Sequence, residues 1–438
     1  MTRELSTVTP AELRRERRRL LDEWDAVDSA TKLLEIQERI ADQIQGAEQS
    51  IKAMRGDLDA LRSHIKQLRL YADGLAWRVL HPHVIRQLSK NAGDAPSLIE
   101  QHEAFNFVLR SARRHVEASG LPVLIADITN VIKIGDLIVV ADPELPQIVE
   151  CKTRLGHPRY WMQGRIGRQI SRALGTLKYL SGKPVKVHGE DHVRVSVESQ
   201  HEPERNWDAV GTCVAAALDH GYGSVLLSDH ELVSAFQGSH LSEAFDQLAP
   251  STRELPQPFF AGTSLEPFDR SDGLLPPPIV WPLAPAGRFA VAEGEVIVIH
   301  FVSARAFERG GHEWRIQVTG PDPCYVSVFL GEEEYRFSDR FIRDVLYAFE
   351  TVDSCVTGLL TCARQVRDLL AAGDETLIEV APASGKPDVV YLGSQGAVLR
   401  FAVGQSGDAI TVSSEGLLES VQRSLAEANA KDSAGESG

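Results

Sequence analysis

Three residues of the chain combine the types and the spacing of a hydrolytic site. Asp136 is followed, after thirteen residues, by Glu150, Cys151 and Lys152. Because side chains alternate along a strand, a strand over 147–152 places Glu150 and Lys152 on one face and Cys151 on the other. Carboxylates bind hard cations such as Mg²⁺ or Mn²⁺. A lysine beside them can orient a water, deprotonate it as the neutral amine, or offset developing charge as the ammonium. The set predicts metal-assisted phosphodiester hydrolysis, with Asp136 and Glu150 as metal ligands.

The elements around these residues follow the order α-β-β-β-α-β. The hydrophobic patterns predict a helix over 96–120, strands over 123–128, 131–141 and 147–152, a helix over 160–180 and a strand over 192–198. The turn Asp142-Pro143-Glu144-Leu145-Pro146 predicts a hairpin that returns Glu150 and Lys152 beside Asp136.

Two simpler interpretations of these residues stay open. Asp136 could be a turn residue that follows Gly135, and Glu150 with Lys152 could be an exposed pair on an edge strand. The unbroken apolar run over 137–140 argues against both. It is typical of a strand covered on both faces, where an isolated acid is unfavourable without a partner or a metal.

With Gly135-Asp136 and Glu150-x-Lys152 set in this order of elements, residues 96–199 resemble the PD-(D/E)xK, restriction-endonuclease-like nuclease superfamily. Gly135 stands where the name of the superfamily has Pro. The resemblance implies an α/β fold with a restriction-endonuclease-like core and a metal-dependent nuclease activity.

The resemblance also implies roles for residues outside the strands. In the superfamily, the helix after the E-x-K strand often bears a Gln that contacts the substrate or the metal shell, and Gln169 matches it in kind. The first helix often adds a carboxylate to the metal site, for which Glu103 or Glu100 is the candidate.

The net charge of −15 hides a strongly basic segment. Residues 151–189 contain nine Lys and Arg residues and no acid. Such a local excess can hold a polyanion despite the global sign, although a solvated helix face is the simpler alternative. Arg165, Arg168 and Arg172 fall on one helix face, as a phosphate backbone would require. The predicted nucleic-acid contacts are Arg154, Arg159, Arg165, Arg168 and Arg172.

Residues 1–80 are predicted to form a helical arm. From Leu33 to Leu75 apolar residues repeat at heptad spacing, and as one continuous helix this segment would be about 65 Å long. The pattern favours a parallel coiled-coil dimer, in which the polar seam residue Gln37 could help to fix the register. The alternative is a helical hairpin that folds back on residues 10–30.

The remainder of the chain gives less specific signals. We predict a nuclease-like domain over 81–248, a C-terminal mixed α/β domain of regulatory or partner-docking role over 249–430, and a disordered tail over 431–438. Five cysteines without a C-x-x-C pair argue against a disulfide framework or a zinc knuckle. With no signal peptide or apolar span, the expected location is the cytoplasm.

The prediction from the sequence is therefore a metal-dependent endonuclease, acting on DNA in restriction, phage defence or repair. A dimer would bring two sites together for cleavage of both strands. The alternatives are a non-catalytic scaffold that binds DNA or protein through a nuclease-like domain, and an RNase.

Overall fold

The computed structural model describes residues 9–89, 95–144, 146–152, 185–187, 193–194, 201–238, 248, 252, 255–256, 258–265, 275–311, 313–318, 325–338, 340–371, 378–380, 398–403 and 408–413. These residues combine helices with small sheets, so the predicted α/β class is confirmed. The predicted helix over 160–180 and the predicted tail lie outside the described residues.

The helices are numbered in chain order. They are α1 (Pro10–Asp25), α2 (Ala30–Lys52), α3 (Leu58–Val79), α4 (Pro82–Leu88), α5 (His102–Ser119), α6 (Trp207–His220), α7 (Pro285–Ala292), α8 (Arg340–Ala348) and α9 (Val352–Ala371). Sequence features define several of the helix ends. Thr9 and Glu12 form a capping box at α1, Ser29 and Asp57 cap α2 and α3, and Gly120 ends α5.

The strands are short. They are β1 (Val123–Ile125), β2 (Leu137–Val139), β3 (Gln147–Lys152), β4 (Val185–Val187), β5 (Val193–Arg194), β6 (Tyr222–Ser228), β7 (Glu231–Gln237), β8 (Phe259–Thr263), β9 (Val296–Ser303), β10 (Trp314–Val318), β11 (Tyr325–Leu330), β12 (Glu333–Ser338), β13 (Ile378–Val380), β14 (Val398–Val403) and β15 (Asp408–Ser413).

Contacts divide the chain into two compact units. The first unit consists of residues 1–196 and 375–438, and the second unit consists of residues 197–374. These boundaries differ from the predicted domains over 1–80, 81–248 and 249–430. The difference has two causes: β7 pairs with β9, which joins residues before and after 249, and β14 pairs with β3, which joins the end of the chain to the first unit.

The segment predicted to be one coiled-coil helix is a helical hairpin. α2 ends at Lys52 and α3 begins at Leu58, and between them Met54 and Gly56 adopt left-handed conformations with φ of 54° and 79°. The prediction of a continuous helix was wrong because an apolar seam is satisfied equally well when the helix folds back. Met54 is 75% exposed at the turn. In contrast, the seam residues that are buried within the chain include Ile40, Ile44, Ala47, Leu61, Leu68, Ala72 and Leu75.

This burial occupies the seam that a coiled-coil dimer would use, and self-association of the chain stays a prediction. The seam side chains are already packed against their own chain, and α1 covers part of the hairpin, with Leu13 against Ala47 and Leu61. The arm is thus part of the first unit rather than a separate rod.

The main sheet of the first unit has the order β1-β2-β3-β14-β15. The pairs β1–β2, β2–β3 and β14–β15 are antiparallel, and β3–β14 is parallel. α5 contacts β1, β2 and β3, and α2 contacts β1. β1 and β2 are buried along their whole length. β4 and β5 pair in a separate sheet with β13, so the predicted strand over 192–198, described only at β5, does not extend the main sheet.

Gln37 closes the edge of this sheet. Its side chain is 1% exposed, its Nε2 donates to the Val123 carbonyl at 2.7 Å, and its Oε1 accepts from the Ile125 amide at 2.8 Å. The amide of Gln37 thus satisfies the two backbone groups that a neighbouring strand would otherwise bind. The predicted role of Gln37 in coiled-coil register is replaced by this one.

The second unit contains two antiparallel sheets, ordered β6-β7-β9-β8 and β10-β11-β12. α6 contacts β6 and β7, and Trp207, Trp281 and Phe349 pack with ring centroids 5.1–5.7 Å apart. A regulatory or docking role for this part of the chain stays a prediction.

Candidate functional site

The β2–β3 hairpin brings Asp136 to the strand segment that contains Glu150 and Lys152. Register pairs Leu137 with Val149, and the Asp136 amide donates to the Val149 carbonyl at 2.9 Å. The Asp136 carboxylate in turn accepts a hydrogen bond from the Cys151 amide, with 2.5 Å between Oδ2 and the nitrogen. Both contacts follow from the turn that the sequence predicts over 142–146.

Both the backbone amide and the carboxylate of Asp136 therefore form hydrogen bonds to β3. The carboxylate is half-buried and lies against the backbone at Cys151, the residue between the strand positions of Glu150 and Lys152. The simpler interpretation of Asp136 as a plain turn residue does not account for this bond. A hydrogen bond to a charged acceptor is among the stronger ones in proteins.

The backbone conformation and the packing at position 135 explain why glycine precedes Asp136. Its φ is +81°, and a Cβ at this position would lie 2.6 Å from Ile148 Cγ2. Proline is fixed near φ −65° and cannot adopt this conformation. The hairpin packs Gly135 directly over β3, so the residue before Asp136 has to lack a side chain.

The loop from Ala126 to Asp136 connects β1 to β2 and is held along its length. The Ala126 amide donates to the Asp136 carbonyl at 3.0 Å. Thr129 is buried, and its Oγ1 bonds the Ala126 carbonyl at 2.9 Å and the Ile132 amide at 3.1 Å. The Lys133 amide donates to the Leu88 carbonyl at 2.9 Å. These hydrogen bonds therefore fix the backbone of the loop that ends at Asp136.

A buried carboxylate on α3 binds the middle of the same loop. Asp73 is 3% exposed and accepts from the Asn130 amide at 2.7 Å, the Val131 amide at 3.2 Å and the Asn130 side-chain Nδ2 at 3.0 Å. Burial raises the pKa of Asp73 to about 6, although the Asn130 and Val131 hydrogen bonds and the charge of Lys133 act in the other direction.

The segment before α5 is bound by two further polar residues of the hairpin. Glu48 Oε2 accepts from the Ile99 amide at 3.0 Å, and Arg69 donates to the carbonyls of Asp127 and Pro96, each at 2.8 Å. Burial lowers the pKa of the Arg69 guanidinium. The predicted ligand Glu103 follows in the first turn of α5, where it is exposed.

The structure describes only some of the predicted site residues. Asp136, Glu150 and Lys152 are brought together on one hairpin, the last two as strand positions. Whether Glu103 joins them as a ligand stays a prediction. The other predicted residues lie outside the described residues: Gln169, Arg154, Arg159, Arg165, Arg168 and Arg172.

Asp73 was not predicted as a functional residue and Gln37 was predicted to have a different role, although the sequence pattern marks both. Each is a polar residue inside an apolar helical pattern, Asp73 within Leu70–Ala76 and Gln37 in the heptad seam. In a helix that is buried on most sides, such a residue indicates a bond to a neighbouring segment. The sequence does not identify which backbone groups receive that bond.

Searches for related proteins add no assignment to this geometry. No family model matches the chain, and neither the curated proteins nor the solved structures contain a match to it. Among the described residues, no three His, Cys, Asp or Glu residues form a group that could hold a metal. Within the same residues, no helix is long and apolar enough to cross a membrane.

Proposed function

We propose that the chain is a metal-dependent phosphodiesterase, an endonuclease acting on DNA, with Asp136, Glu150 and Lys152 at its centre. The observation that carries the proposal is the hydrogen bond from the Cys151 amide to the Asp136 carboxylate. It holds one acid against the strand at the residue between the second acid and the lysine.

The donor chemistry of these residues fits a hard divalent cation. Carboxylate oxygens are the ligands that Mg²⁺ and Mn²⁺ prefer, and half-burial leaves the Asp136 carboxylate within reach of a ligand. Asp136 and Glu150 would hold the cation, with Glu103 as a third candidate. When bound, such a cation polarises the phosphodiester and lowers the pKa of a coordinated water.

The chain's own residues would position the reacting groups. Asp136 is fixed by the Cys151 amide and by the backbone bond to Val149. As the neutral amine Lys152 would accept a proton from the attacking water, or as the ammonium it would offset negative charge as the phosphorus–oxygen bond breaks. The basic residues of 154–172 would hold the phosphate backbone, with Gln169 supporting the site.

The order α5, β1, β2 and β3, with Asp136 opposite the β3 segment that bears Glu150 and Lys152, supports a restriction-endonuclease-like core within the α/β class. A role in restriction, phage defence or repair, in the cytoplasm, is part of the same proposal.

The test is cleavage by purified wild-type, Lys152→Ala and Asp136→Asn proteins. Each is incubated with plasmid, linear DNA and total RNA in Mg²⁺, Mn²⁺ or EDTA. Asp136→Asn keeps an oxygen that can accept from the Cys151 amide but removes the charge, so it preserves the hairpin while weakening metal binding. Lys52→Ala, at an exposed lysine on α2, is the matched control.

We expect metal-dependent cleavage of DNA that Lys152→Ala and Asp136→Asn reduce by about 10²–10⁴-fold and that Lys52→Ala leaves unchanged. Cleavage of RNA alone would make the protein an RNase. Metal-independent DNA binding without cleavage under any condition would refute the catalytic proposal in favour of a non-catalytic scaffold.

A further inference from the structure

The carboxylate of Asp73 is the most buried charged group that binds the loop leading to Asp136. It lies on α3, outside the residues that the sequence assigns to the site, and all three of its hydrogen bonds go to Asn130 and Val131. These two residues are the midpoint of the loop, whose far end is Asp136. An ionised carboxylate is unfavourable in an apolar interior unless it is hydrogen-bonded, and these three bonds meet that requirement.

Asp73 supplies the acceptor for two consecutive backbone amides of the loop. Asn130 and Val131 would otherwise have two adjacent backbone amides without an acceptor from α3. The loop continues through Val131, Ile132 and Ile134, which are 3–5% exposed, so a displacement at Asn130 has to move buried side chains before it reaches Asp136. At its ends the loop is closed by the bond between Ala126 and Asp136.

We propose that Asp73 is a positioning residue for the candidate site: its carboxylate fixes the 126–136 loop so that the Asp136 carboxylate meets the Cys151 amide. This inference rests on the proposed function for its consequence in catalysis, but not for its structural part. Asp73 acts through Asn130 and Val131, the residues to which it is hydrogen-bonded.

The geometry makes hydrogen-bond acceptance, and not charge, the property of Asp73 that matters. Its Oδ1 accepts hydrogen bonds from the backbone amides of Asn130 and Val131, and its Oδ2 accepts one from the side-chain Nδ2 of Asn130. Asparagine at position 73 can keep the first two bonds, and the third is restored when the Asn130 side chain turns its oxygen toward the new Nδ2. The charged groups that act electrostatically on Asp73 are Lys133 and Arg69, and Arg69 keeps Glu48 and Asp127 as acidic neighbours when the charge of Asp73 is removed.

Three variants test the proposal: Asp73→Ala removes all three bonds, Asp73→Asn retains them, and Asn130→Ala removes only one from the loop side. Glu231→Ala is the matched control, since Glu231 is also a buried carboxylate, 5% exposed, that accepts a backbone amide, that of Val352 at 3.2 Å. Glu231 lies in the second unit.

The first measurement is hydrogen exchange at the amides of Val131 and Cys151, with amides in the middle of α5 as the internal reference. We expect Asp73→Ala to accelerate exchange at both sites by about tenfold or more relative to α5, Asn130→Ala to do so less, and Asp73→Asn to match the wild type. Unchanged exchange at Cys151 in a folded Asp73→Ala protein would overturn the proposal. If Asp73→Ala does not fold, the same comparison is made between Asn130→Ala and Asp73→Asn.

The second measurement is the kinetics of metal-dependent DNA cleavage. Misplacement of Asp136 by a fraction of an ångström predicts a fall in kcat of about 10- to 100-fold for Asp73→Ala, with KM changed less than twofold, and recovery in Asp73→Asn. Equal losses in Asp73→Asn and Asp73→Ala would overturn the positioning role. If the wild type cleaves nothing, the proposed function fails, while the exchange at Cys151 still decides whether Asp73 positions Asp136.

Discussion

Substitution of Gly135 by alanine tests the backbone conformation that precedes Asp136. An alanine there has to adopt φ +81°, and its Cβ would lie 2.6 Å from Ile148 Cγ2. A left-handed conformation of a residue with a Cβ is unfavourable by about 1–2 kcal/mol, and insertion of a methyl group into a packed core by about 1–3 kcal/mol. The lost flexibility of the unfolded chain returns about 0.4–1 kcal/mol. We expect a net destabilisation of about 2–4 kcal/mol.

Gly120 provides a matched control for the conformational part of this value. Its φ is +68°, but no atom lies within 4 Å of a Cβ built there. Gly120→Ala should therefore show the conformational strain without the clash, and destabilise by about 1 kcal/mol or less. The difference between the two variants isolates the contact with Ile148.

Unfolding in urea is monitored by hydrogen exchange and mass spectrometry of peptides from β1 to β3. These peptides report the free energy of unfolding of the first unit separately. The double variant Gly135→Ala/Ile148→Ala completes a thermodynamic cycle, and its coupling energy should recover about 1–3 kcal/mol of the clash. A Gly135→Ala protein that is no less stable than Gly120→Ala would refute the close packing of Gly135 on β3, and with it the explanation for glycine in the motif.

Three further outcomes follow from buried polar groups. Gln37→Leu leaves the Val123 carbonyl and the Ile125 amide without a partner, so urea unfolding should show a loss of about 2–5 kcal/mol. Burial raises the pKa of Asp73 from 3.8 to about 6. The contribution of Asp73 to the free energy of unfolding is therefore complete below about pH 4 and is lost as the pH rises through 6. The unfolding free energy of Asp73→Asn relative to wild type should therefore rise by about 3 kcal/mol from pH 4 to pH 7; a flat difference would contradict the burial. Burial lowers the pKa of His64 from 6.5 to about 3. The contribution of His64 to the free energy of unfolding is therefore complete above pH 6.5 and is lost as the pH falls to 3. His64→Gln should reduce the dependence of the free energy of unfolding on pH over this range.

The part of the site that the sequence predicts is local. The turn over 142–146 and the apolar runs on both sides of it specify a hairpin, and the period of two along β3 specifies which residues lie opposite Asp136. Residues separated by fewer than twenty positions are enough for this prediction. The contact between Asp136 and the Cys151 amide is its direct consequence.

The parts that the sequence did not predict depend on distant residues. An apolar seam with heptad spacing is compatible with a long coiled coil and with a hairpin, and only Gly56 and the polar turn around it distinguish the two. The pairing of β3 with β14 joins residues about 250 positions apart. No local pattern specifies such a pairing, because register is chosen by the whole sheet.

The polar residues of the N-terminal helices also join the helical arm to the rest of the first unit. Gln37, Glu48, Arg69 and Asp73 bond backbone groups of the segments that lead to α5, β1 and β2: Val123, Ile125, Ile99, Asp127, Pro96, Asn130 and Val131. A buried backbone group without a partner is unfavourable by about 1–3 kcal/mol, and a whole domain is stable by only about 5–15 kcal/mol. Removal of the helices would break all of these bonds and expose the apolar residues of α5 and β1 that α2 contacts, so we expect it to unfold the first unit. Arg69 and Asp73, which lie beside the seam on α3, bond the loop that leads to Asp136, so the arm and the candidate site belong to one compact unit.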